Sequence, residues 1–126
     1  LGDAARGAAQ IGKARLAIDE DGRVVDLGAS SFKGLDSEVT AVGMDAAEVG
    51  HSAWLVIWGE GRSGGPEAEV HRWSGTQRRW ERLATIDDVV RSGLERPARA
   101  VLPHPGVALW MTRSDGSVER SEIGQP

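Results

Sequence analysis

Three groups of residues in this chain are of a type that can do chemistry. The first is a run of arginine and tryptophan, Arg72-Trp73, Arg78-Arg79-Trp80 and Arg82, on either side of Ser74-Gly75-Thr76-Gln77. Arginine and tryptophan are enriched where proteins bind one another, because both present large planar surfaces that carry polar atoms. The second is Ser63 within Gly61-Arg62-Ser63-Gly64-Gly65-Pro66. The third is the set His51, His71 and His104, side chains able to act as bases or metal ligands.

Of these, the serine segment comes nearest to a known motif. It resembles the serine-nucleophile segment of the trypsin-like proteases, which places the serine beside backbone N–H groups that form an oxyanion hole. It also fits the G-x-S-x-G pattern of the α/β-hydrolases. It departs from the first at Arg62, where that family carries an acidic residue, and only His51 precedes Ser63 in the chain. It departs from the second because an alternating strand, not a helix, follows Pro66. A small serine hydrolase using Ser63 with His51 or His71 is therefore the alternative expectation, and no catalytic residue is assigned.

The histidines lack the i, i+4 spacing of helical metal ligands and fall on different predicted elements. No metal site and no cofactor are expected. His71 reads as the polar partner of Glu69 on one strand face. With no cysteine in the chain, disulfides, zinc–cysteine sites and cysteine nucleophiles are excluded together.

Charge narrows the partners. The formal net charge is −4, which argues against nucleic acid as a partner. The arginines cluster between residues 72 and 99, where they outnumber the carboxylates. Another protein, with an acidic surface, is the expected partner, and Arg62, Arg72, Trp73, Arg78, Arg79, Trp80 and Arg82 are the candidate binding residues. An acidic immunity or inhibitor protein is a further reading of the same composition. The longest apolar run, residues 53–58, falls far short of the roughly 20 residues a bilayer span needs, and no signal peptide is visible. A soluble chain is expected, and its lack of an initial methionine suggests a part or product of a larger protein.

These residues must be held by a β scaffold. Asp21-Gly22 and Asp115-Gly116 each lie between alternating apolar runs, the strongest local hairpin signal, and type I′ turns are expected there. Residues 38–44 and 52–58 read as strands, the second apolar on both faces and hence central. Trp54, Val56 and Trp58 share one of those faces. Residues 67–73 and 79–84 read as a further hairpin on which Trp73 and Trp80 meet across the strands. Thr85, Asp87 and Asp88 followed by Ile86, Val89, Val90 and Leu94 at helical spacing predict one short helix near 86–95, ended by Pro97.

Residues 54–61 and 108–114, with the strands before them, repeat loosely at roughly fifty residues, a spacing found in propeller blades. The order strand, glycine-rich loop, strand, short turn and Arg78-Arg79-Trp80-Glu81-Arg82-Leu83-Ala84-Thr85 resembles one blade of a kelch-like propeller. It lacks that family's double glycine at its place and its tyrosine, so no membership follows. The expected fold is mainly β, a small antiparallel barrel or sandwich of about eight or nine strands built from hairpins. Residues 1–12 are read as a tail or linker and 13–126 as one domain. Within that domain, the expected role is a non-catalytic protein-interaction module.

Overall fold

Three short loops turn the chain back on itself in the same way. Gly22, Gly64 and Gly116 have φ of 80°, 90° and 89°, the left-handed region that glycine enters at no steric cost. Each closes a loop with two backbone bonds. In the first loop, Asp19 N–H donates to Arg23 O at 2.8 Å and Gly22 N–H to Asp19 O at 3.0 Å. In the second, Gly61 N–H donates to Gly65 O at 2.8 Å and Gly64 N–H to Gly61 O at 3.0 Å. The third repeats this at Arg113, Gly116 and Ser117, with both bonds at 2.9 Å. This is a type I turn followed by a left-handed glycine, not the type I′ turn expected from the Asp-Gly pairs, since neither Asp21 nor Asp115 has positive φ. The Asp19 carboxylate fixes its loop by accepting the N–H groups of Asp21 and Arg23.

The structure, a computed structural model, describes residues 8–11, 14–26, 35–49, 52–74, 79–95 and 107–123. Among them are ten strands in three antiparallel sheets. The first sheet holds β1 (Ala8–Ile11), β2 (Ala14–Ile18) and β3 (Val24–Asp26) in sequence order. The second holds β4 (Thr40–Val49), β5 (Ser52–Glu60), β6 (Pro66–Ser74) and β7 (Arg79–Asp87). The third holds β8 (Arg91–Glu95), β9 (Val107–Thr112) and β10 (Val118–Ile123). The strand structure begins at Ala8, inside the stretch read from sequence as a tail.

The second sheet lies between the other two, and alternation along its strands explains why. On β5, Ala53, Leu55 and Ile57 point one way and join Leu16 and Ile18 of the first sheet in one core, with Val39 and Met44. Trp54 and Val56 point the other way, into cores shared with Val107, Leu109 and Met111 of the third sheet. The double-sided burial expected of β5 is present: Leu55, Val56 and Ile57 are all fully buried. The first strand of the second sheet, β4, runs beside both β1 and β8. Asp45 ties it to β8 by accepting the Leu94 N–H at 2.9 Å.

Two expectations are corrected. No sheet closes on itself, so the fold is not a barrel. No helix forms at 86–95, where β7 runs to Asp87 and β8 starts at Arg91. Helical spacing there coincides with two strands that turn at Asp88, whose φ of 57° no α-helix admits. Ile86, Val89 and Leu94 do reach one core, between the second and third sheets, but Val90, needed for the helix's apolar face, is exposed. The turn is held by Asp88 N–H donating to Pro66 O and by Arg113, which bonds the carbonyls of Asp87 and Asp88. The strand that the sequence repeat expects ahead of residues 108–114 lies outside the described residues.

Candidate functional site

The β6–β7 hairpin sorts its arginines and tryptophans onto two faces. Trp73 and Trp80 are direct cross-strand partners, as the sequence suggests, and their rings meet edge to face with centroids 5.5 Å apart. That face turns inward: Trp80 is 8% exposed in the core between the first and second sheets, and Trp73 packs against the same core. Arg82 lies on this side too, half-buried, with Nη1 3.3 Å from Glu69 Oε2 and Nη2 3.8 Å from Glu38 Oε1. On the opposite face Arg72 pairs with Glu81 at 3.4 Å, both side chains open to solvent. Exposed Arg79 lies two residues before Glu81 on that same face, in register with Ser74. Arg78 lies outside the described residues.

Arg62 does not belong to this cluster. It stands on the loop at the other end of β6, its side chain 80% exposed and 3.8 Å from Glu38. The seven candidate residues therefore do not form one patch. Trp73, Trp80 and Arg82 serve the interior, while Arg72 and Arg79 share an outward face.

Sequence reasoning did not find the most elaborate polar arrangement in the chain. Glu69 and His71 are fully buried between the first and second sheets, and His71 Nε2 lies 3.0 Å from Glu69 Oε1. The pairing of Glu69 with His71 on one strand face is as read, but that face is covered. Glu69 Oε2 also accepts the Glu38 N–H at 2.8 Å and faces the Arg82 guanidinium. Burial alone would raise the Glu69 pKa. The bonds from His71, the Glu38 backbone and Ser37 outweigh it and bring the carboxyl down to about 2. The signal that could have revealed this is position: Glu69 and His71 alternate with Ala68 and Val70 along the middle of an interior strand, where the sheet is covered on both sides.

Ser63 is exposed on the glycine loop, while His71, one of its two proposed bases, is sealed in the sheet face by Glu69. His51 and His104 lie outside the described residues. Among the described residues no group of three histidine or acidic side chains could hold a metal ion. No helix is long and apolar enough to cross a membrane among those residues. An open groove beside the glycine loop is lined by Val42, Glu60, Gly64, Pro66 and Val90, among others. The chain matches no known family model, no curated protein and no solved structure.

Proposed function

We propose that this chain is a non-catalytic protein-interaction module, a sandwich-like stack of three sheets that offers the outward face of the β6–β7 hairpin to an acidic partner. The observation that carries this reading is the division of the hairpin's two faces. At the turn end of the hairpin one face spends Trp73, Trp80 and Arg82 on the core, whereas the other, beyond the buried Ala68 and Val70, exposes Arg72, Arg79 and Glu81. Arginine on a rigid strand suits carboxylate recognition, because its fork is positioned before the partner arrives. A sheet anchored by a tryptophan pair supplies that rigidity. The rest of the chain is acidic overall, so an exposed pair of arginines on one strand face locally favours negative charge.

The reading is tested with the double variant Arg72→Glu/Arg79→Glu. Both side chains are exposed, so its unfolding free energy should stay within about 0.5–1 kcal/mol of the parent. Partner capture by the immobilised chain should be lost, and capture by the parent should weaken as salt is raised. A partner held equally by parent and variant would reject this face.

A further inference from the structure

The three sheets repeat one plan, and one position in that plan is left uncovered. Leu16, Trp58 and Trp110 each stand the same distance before the left-handed glycine of their loop, and each faces a small residue of the neighbouring strand: Ala9, Gly43 and Gly93. A methyl group on Gly43 or Gly93 would overlap the indole lying across it. The next sheet covers the first two of these side chains. Leu16 lies in the core beneath the second sheet and Trp58 packs into the core beneath the third.

Trp110 has no such cover among the described residues. It alternates with Leu109 and Met111, which pack against the second sheet, so it points away from the stack and is half-buried. Val118 repeats the pattern. Its counterpart Val24 packs into the first core, whereas Val118 is 66% exposed. Around this apolar strip the same face carries Arg91, Glu95, Arg120 and Glu122, two charges of each sign, with Arg120 Nε 3.6 Å from Glu95 Oε2.

We infer that this outer face of the third sheet is a self-association surface that docks the same face of a second copy about a two-fold axis. Arg120 and Glu95 pair within the chain, and the remaining Arg91 and Glu122 suit such an interface, because a two-fold axis lets the arginine of each copy meet the glutamate of the other. Head-to-tail stacking onto the first sheet is disfavoured by Arg15. It occupies the position at which the second and third sheets place Ile57 and Leu109 in their cores, and an arginine there resists burial. The footprint of one small sheet is below the roughly 800 Å² per partner of a standard interface, so association should be micromolar or weaker.

Light scattering on the intact chain over a concentration series tests this. The mass should rise from 13.4 kDa towards twice that value. Val118→Glu should weaken dimerisation by at least ~10-fold without lowering the melting temperature, since Val118 supports no core. Arg72→Glu/Arg79→Glu should leave the dimer intact, which separates this surface from the partner-binding face. A chain that stays monomeric at the highest concentration, a dimer indifferent to Val118→Glu, or open-ended larger oligomers would each overturn the inference.

Discussion

Trp80→Ala is expected to unfold much of this protein rather than merely remove a binding group. The indole is buried in the core between the first and second sheets, edge-on to Trp73, and truncation leaves a cavity that the flanking strands cannot fill. Truncations of this kind cost about 3–5 kcal/mol against a total stability of roughly 5–15 kcal/mol for a domain. Trp80→Phe discriminates packing from hydrogen bonding. The Trp80 Nε1–H is buried without an acceptor, so losing it forfeits no bond, and the cost should stay below ~1.5 kcal/mol. Urea denaturation of both variants provides the measurement. A Trp80→Ala variant as stable as the parent would remove Trp80 from the core and return it to the list of binding residues.

Glu69→Ala should be comparably damaging, for an electrostatic reason. It leaves His71 buried, the Glu38 N–H without its acceptor and Arg82 without its nearer carboxylate. Breaking one member out of a buried charged cluster costs about 3–5 kcal/mol. The same cluster sets a pH dependence. Because the folded Glu69 carboxyl titrates at about 2 and its ordinary value is 4.5, its contribution is complete above pH 4.5 and is lost as the pH falls towards 2. The shift corresponds to roughly 3 kcal/mol. Glu69→Gln should therefore be less stable than the parent near neutrality and should show a flatter stability profile across that acid range. Parallel profiles for parent and variant would mean that the acid sensitivity arises elsewhere.

What could be read before folding was what local chemistry decides. The loops at Gly22 and Gly116 were legible because an Asp-Gly pair and its flanking alternation are contained in a dozen residues. So was the meeting of Trp73 with Trp80, since a short turn sets their register. The spacing at 86–95 imitates a helix because Ile86, Val89 and Leu94 do converge on one core, but from two strands joined at Asp88. In the sequence the repeat is visible only between the second and third sheets. The first sheet carries Leu16 and Ala9 where the others carry tryptophan and glycine, and its spacing differs, so the shared plan emerges only from the loop hydrogen bonds. For the binding face, residue type alone could not separate Arg82 from Arg72. Neighbours on one hairpin, they are divided by the pleat: Arg72 stands opposite Glu81 and Arg82 opposite His71, in adjacent pairs that face opposite sides of the sheet.

The position of β5 bears on how the molecule comes apart. Its odd-numbered apolar residues hold one neighbouring sheet and its even-numbered ones the other, so neither outer sheet touches a core that β5 does not share. Either outer sheet can open while the rest persists, but the centre cannot open alone. Amide hydrogen exchange should then show a gradient: slowest at Leu55 and Val56, at the rate of global unfolding, and faster outward through β9 to β10. Proteases would accordingly trim this chain from its outer sheets inward, leaving fragments that retain the β5–β6 pair longest.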